Sequence, residues 1–180
     1  ITILTGVLNV TCNDEGNGEI TVLSSGGTGT RTYSLDGVNY QVSGSFPGLD
    51  GGPYTVYVKD GNGCVKSSTA FVVEPTPVIV SANVSDVSCA GGNNGVVNLS
   101  VSGGVSPYYY AWSDGSTTED VFNLSAGNYS GTITDANGCT VAHSGIVLAA
   151  PQLLSLTIND LVPVACFGES SGRIAISVTG

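Results

Sequence analysis

The sequence predicts an all-β chain of tandem immunoglobulin-like antiparallel β-sandwich repeats, each with one intradomain disulfide. Three observations predict it. Cysteines recur at equal intervals, apolar residues alternate every second position after them, and Asn-Gly turns stand at matching points along the chain.

The first element is the opening strand pair. Cys12, Cys89 and Cys166 stand at intervals of 77 residues. Each is followed by a glycine (Gly18, Gly95, Gly172), then by an apolar residue (Ile20, Val97, Ile174), then by another (Val22, Leu99, Ile176). Thr21, Asn98 and Ala175 lie between the apolar positions. This is one strand with one inward face, written three times.

A middle strand comes next. Trp112 and Leu35 share one offset from their cysteines and read as core residues, with Tyr110 and Tyr33 two places earlier on the same face. The last hairpin is equally regular. Residues 52–64 align with residues 127–139, placing Tyr54, Val56 and Val58 opposite Tyr129, Gly131 and Ile133 as inward positions. Asn62-Gly63 and Asn137-Gly138 are tight-turn dipeptides that reverse the chain into a final strand. About seven short strands per repeat are expected. Tyr54 and Tyr129 occupy the place of the tyrosine whose hydroxyl bonds back to the preceding corner in immunoglobulin-like folds.

Pro75, Pro77 and Pro151 punctuate the joints, with no flexible Gly/Ser linker at either. The boundaries expected are 1–75 and 76–151 for two repeats, with 152–180 as the start of an incomplete third. The chain has no Met, which fits a processed or excised piece of a longer protein.

In a sandwich of this kind the first and last strands are neighbours. Cys12 closes the first strand and Cys64 opens the last; Cys89 and Cys139 repeat the relation. The expected disulfides are therefore Cys12–Cys64 and Cys89–Cys139, each closing a loop of some 50 residues, worth roughly 4 kcal/mol in the chain-entropy model. Cys166 is left unpaired within the chain. Zinc is disfavoured, because there is no Cys-x-x-Cys and the single histidine, His143, lies off any motif.

Composition excludes several classes of function. Fourteen acidic residues against four basic ones, a net charge of −10, leave no basic patch for nucleic acid. No apolar run is long enough for a membrane span. Asp60 and Asp135, each ahead of a Gly-Cys pair, read as Asx turns in preference to calcium ligands, since a calcium cage needs several convergent oxygens. The acidic pairs Asp14-Glu15 and Glu119-Asp120 do not recur between repeats and read as turn residues. No catalytic residue, cofactor or metal site is expected, and the chain reads as a non-enzyme. Tyr57, Tyr108 and Tyr109 read as packing aromatics in preference to a sugar-stacking platform.

The assembled motifs resemble the SprB repeat of Bacteroidota surface proteins. The second repeat carries the resemblance best, in Cys89, Gly103-Gly104, Pro107-Tyr108-Tyr109-Tyr110-Ala111-Trp112, Ala126-Gly127-Asn128-Tyr129 and Asp135-Ala136-Asn137-Gly138-Cys139. The first repeat departs in its middle, with Thr30-Arg31-Thr32-Tyr33-Ser34-Leu35 and no Trp. The resemblance implies a long, secreted cell-surface adhesin, exported by a type IX system and in some members moved during gliding. Its implied partners are neighbouring repeats of the same chain, surface polysaccharide or other filament chains. A glycan-binding module and an inert spacer of a secreted multidomain enzyme are the alternatives; flanking sequence and glycan binding discriminate them.

Overall fold

The computed structural model describes all 180 residues and contains strands but no helix. The first repeat holds β1 (Thr2–Leu8), β2 (Gly18–Ser25), β3 (Thr32–Ser34), β4 (Ser45–Leu49), β5 (Gly52–Lys59) and β6 (Val65–Val72). The second holds β7 (Ile79–Ser85), β8 (Gly95–Ser102), β9 (Tyr109–Trp112), β10 (Val121–Leu124), β11 (Gly127–Thr134) and β12 (Thr140–Leu148). β13 (Ser155–Val162) and β14 (Arg173–Thr179) form a final hairpin. The chain forms two compact units. One takes Ile1–Val80, Val101–Tyr110 and Thr132–Ala142; the other takes Ser81–Ser100, Ala111–Gly131 and His143–Gly180.

Each repeat has six strands rather than about seven, in two antiparallel three-stranded sheets. The orders are β1-β2-β4 and β3-β5-β6, then β7-β8-β10 and β9-β11-β12. This is an immunoglobulin-like sandwich. In the first repeat a capped turn follows β3. Asp36 Oδ1 accepts the N–H groups of Val38 and Asn39, both at 2.8 Å, and the Ser34 hydroxyl donates to it at 2.6 Å. These bonds satisfy backbone N–H groups of the turn locally. They hold the Asp36 carboxyl far below the usual carboxylate range, the Ser34 hydroxyl contributing most.

The core lies between the sheets. In the first repeat Val10, Ile20 and Val22 meet Val56, Val58, Ala70 and Val72, with Tyr33, Leu35 and Tyr54 packed at the margin. The two-residue period of β2 and β5 places these groups inward and Thr21, Thr55 and Tyr57 on the opposite face. Burial of each such Val or Ile contributes about 1.5–3 kcal/mol.

The direction of the outer strands decides where the cysteines lie. Val10 N–H donates to the Val73 carbonyl at 3.0 Å, and Val73 N–H to Asn9 Oδ1 at 3.0 Å. The end of β1 therefore lies beside the end of β6. At the other pole the start of β1 neighbours Gly26 and Gly27, while Asp60 accepts the Thr28 N–H. β1 and β6 are neighbours that run the same way.

The final hairpin repeats β1–β2 and β7–β8 but lacks the facing sheet. Ile174 and Ile176 are 65% and 53% exposed, whereas their counterparts Ile20, Val22, Val97 and Leu99 are at most 4% exposed.

The two repeats fill one core position by different means. Trp112 is buried, donates its indole N–H to the Thr118 carbonyl at 2.8 Å, and lies over Gly131, where an added Cβ would sit 3.1 Å from Trp112 Cε3. In the first repeat the matching pair is Leu35 and Val56. The large-over-small pair of one repeat is a medium pair in the other. Gly131→Val should destabilise the second repeat by about 1–3 kcal/mol through overpacking. Urea denaturation should show most of that loss relieved in Trp112→Leu/Gly131→Val, and an equal loss in both backgrounds would contradict the compensation.

Candidate functional site

The most specific chemistry in the chain lies where the first repeat meets the Asp135–Cys139 turn, within the first compact unit. Cys12 sits in the loop after β1. Asn17 braces this loop: its Oδ1 accepts the Thr11 N–H and its Nδ2 donates to Thr11 Oγ1, both at 2.9 Å. Glu15 N–H closes the turn on the Cys12 carbonyl at 3.2 Å. The second repeat rebuilds the same brace, with Asn94 Oδ1 accepting the Ser88 N–H at 3.1 Å and Asn94 Nδ2 donating to Ser88 Oγ at 2.9 Å. Asn17 and Asn94 stand five places after their cysteines. That periodic signal is present in the sequence, but its bracing role shows only in the folded loop.

Cys139 is presented by the Asp135 turn. Asp135 is buried, its Oδ1 accepts the N–H groups of Asn137 and Cys139 at 2.9 Å, and its Oδ2 accepts Val105 N–H at 2.9 Å. Gly138 supplies φ +88°, which closes the turn with little steric cost. Asp60 repeats the arrangement: Oδ1 takes Asn62 and Cys64 N–H at 3.0 and 2.9 Å, and Oδ2 takes Thr28 N–H at 3.0 Å. The Thr28 bond leads the interactions that hold the Asp60 carboxyl below its ordinary value of 3.8. Both aspartates are fully occupied by backbone donors.

The cysteines correct the expected pairing. Cys12 is bonded to Cys139, with Cα atoms 5.6 Å apart, and Cys64, Cys89 and Cys166 are exposed thiols. Neither Cys12–Cys64 nor Cys89–Cys139 forms, so the disulfide joins two repeats instead of closing one. The reason is strand direction. Cys12 follows the end of β1, beside the end of β6, while Cys64 precedes the start of β6. The eight residues of β6 separate those points by roughly 26 Å, and a disulfide requires Cα atoms within about 7 Å. First and last strands are adjacent as expected, but their common direction puts the two cysteines at opposite poles.

Further bonds hold the joint. Asn137 Nδ2 donates to the Thr11 carbonyl at 2.9 Å, and Gly104 N–H donates to the Thr76 carbonyl, between Pro75 and Pro77, at 2.8 Å. Gly103 has φ +75°, and a Cβ there would fall 1.9 Å from the Pro77 carbonyl oxygen, so only glycine fits. An open cleft of about 350 Å³ runs beside the disulfide, lined by Pro75, Thr76, Pro77, Gly104 and Thr140 among others. It presents no aromatic platform and no nucleophile–base pair.

The remaining candidates serve the frame. Tyr54 and Tyr129 donate their hydroxyls to the carbonyls of Asp50 and Ser125 at 3.0 and 2.9 Å, each four residues back. The Tyr108 hydroxyl donates to the Gly103 carbonyl, while Tyr109 is exposed. Asp14 N–H donates to Glu74 Oε1 at 2.6 Å, and Asp120 Oδ1 accepts Leu99 N–H at 2.9 Å, supplying the central strand β8 with an acceptor just before the start of β10. His143 is half-buried on β12. No three His, Cys, Asp or Glu side chains converge as metal ligands, and no helix is long and apolar enough to cross a membrane.

Asp135→Ala leaves three backbone donors without their acceptor and should cost about 3 kcal/mol in urea denaturation. Asp60 adds a pH signature. Because its folded pKa is lowered, its stabilisation is present above 3.8 and is lost as pH falls through the folded value. Asp60→Asn should flatten that acid limb, and an unchanged limb would contradict the role given to the turn.

Comparison with known proteins adds the repeat type. Residues 6–39 and 81–117 match the SprB repeat. No curated protein sequence matches the chain. Among solved structures, the C-terminal 282-residue fragment of intimin in complex with the translocated intimin receptor intimin-binding domain is similar at TM-score 0.45 and 15% identity, over 88% of this chain and 67% of that one. The two matched segments begin within β1 and β7 and include the two braced cysteine loops, so the match to the SprB repeat recurs at equivalent places along the chain.

Proposed function

We propose that this chain is a structural and adhesive segment of a long cell-surface protein, a stalk whose repeats carry tension. The repeats are taken as 1–75 and 76–151, with 152–180 opening a third. The SprB-type repeats support a surface role, outside the cell, where disulfides persist. The observation that carries the reading is the Cys12–Cys139 bond, which ties successive repeats together across 127 residues of sequence. Closing a loop of that length is worth roughly 5 kcal/mol in the chain-entropy model. Filament formation and gliding are the finer form of the same proposal, and they call for a stalk that does not lengthen under load.

Nothing at the joint favours the glycan-binding alternative, since the cleft lacks a stacking aromatic. The stalk reading is tested by pulling the chain from its two ends. With the disulfide intact, the residues between Cys12 and Cys139 stay out of the force path. Reduction should therefore lengthen the fully extended chain by about 440 Å, from 127 residues at about 3.5 Å each. Equal contour lengths before and after reduction would overturn the proposal. Antibody raised against the repeats should also label intact cells; labelling only after lysis would remove the surface role.

A further inference from the structure

We propose that Cys64 and Cys89 are half-sites of the same inter-repeat bond, so that every joint of the array carries a disulfide from the braced loop of one repeat to the Asp turn of the next. The proposal rests on the tandem arrangement and not on the adhesive role.

The two halves of the bond seen at Cys12–Cys139 are both present again, unfilled. Cys64 is the counterpart of Cys139. Its N–H is held by Asp60 Oδ1 at 2.9 Å, as the Cys139 N–H is held by Asp135 Oδ1 at 2.9 Å. The flanking bonds match as well: Asp60 N–H donates to the Cys64 carbonyl and Asp135 N–H to the Cys139 carbonyl, both at 3.0 Å. Cys89 is the counterpart of Cys12. Its carbonyl accepts Gly92 N–H at 2.9 Å where the Cys12 carbonyl accepts Glu15 N–H at 3.2 Å, and Asn94 braces its loop as Asn17 braces the first. The turns are built to the same plan, and the thiols of Cys64 and Cys89 are exposed.

Geometry decides what can fill them. Within one repeat the braced loop and the Asp turn sit at opposite poles, so Cys64 cannot reach Cys12. Each repeat thus offers one cysteine to the repeat before it and one to the repeat after it. The occupant of Cys89 is the Asp-turn cysteine of the following repeat, and the occupant of Cys64 is the braced-loop cysteine of a preceding repeat. The hairpin Ser155–Thr179 repeats the plan of β1–β2 and β7–β8, with Ile174 and Ile176 at the positions of Ile20 and Val22. Cys166, in the loop of this hairpin, continues the series.

Each new bond joins two thiols, which release two protons and pass two electrons to a disulfide-bearing oxidant of the thiol–disulfide oxidoreductase class, itself reduced to the dithiol. The product is a chain in which both cysteines of every interior repeat are crosslinked, each to a different neighbour.

The test uses the full-length protein taken from the cell surface, alkylated before any reduction and digested without reductant. Peptide mapping by mass spectrometry should recover Cys89 linked to an Asp-x-Asn-Gly-Cys-type peptide of the next repeat and Cys64 linked to a braced-loop peptide of the previous one. The protein should run as a single chain without reductant. Recovery of Cys64 or Cys89 mainly as alkylated thiols, a link of Cys64 to Cys12 or of Cys89 to Cys139, or a non-reducing ladder of chains joined to one another would each overturn the proposal. Alkylated Cys64 or Cys89 beside an intact Cys12–Cys139 bond would overturn this proposal and leave the stalk reading in place, which makes the two readings separable.

Discussion

The common direction of β1 and β6 is the constraint on which the rest depends. The hydrogen bonds of Val10 and Asn9 with Val73 set the ends of those strands side by side. Val87 N–H, donating to the Ala149 carbonyl at 3.2 Å, does the same in the second repeat. Because first and last strands run the same way, the loop after the first strand and the turn before the last occupy opposite poles. A cysteine at each pole cannot staple its own domain. It can only reach outward, and the Cys12–Cys139 bond is that reach completed.

The polar network at the poles arises from the same need. A cysteine that must meet a partner on another repeat gains from being held in place before the bond forms. The chain does this with buried carboxylates, Asp60 and Asp135, that each accept three backbone N–H groups, and with Asn17 and Asn94, which bridge their loops by paired bonds. Charge and hydrogen-bonding capacity that a catalytic or metal site would turn toward a ligand are here turned toward the protein's own backbone.

Much of this was legible in the sequence. The period of 77, the alternating faces of β2 and β8, the turns at Asn62-Gly63 and Asn137-Gly138, and the corner positions of Tyr54 and Tyr129 are local patterns, and local patterns survive without a structure. Ile20, Val22, Val97 and Leu99 are core residues as their spacing implies. The disulfide was not legible, because pairing depends on which pole of the sandwich each loop occupies. Spacing is equally compatible with a bond within a repeat and with one between repeats. The strand count of about seven exceeded the six observed in each repeat, because alternation does not reveal which extended stretches pair. The trade of Trp112 and Gly131 against Leu35 and Val56 was hidden in the same way, since it is visible only once the two positions are known to touch.

The partner of Cys12 is the quantity on which the account turns. Alkylation of the purified chain without reductant, then peptide mapping, measures it directly. The account predicts a crosslink of Cys12 to Cys139, with none of Cys12 to Cys64 and none of Cys89 to Cys139. Crosslinks of Cys12 to Cys64 and of Cys89 to Cys139, leaving Cys166 as the sole thiol, would contradict it.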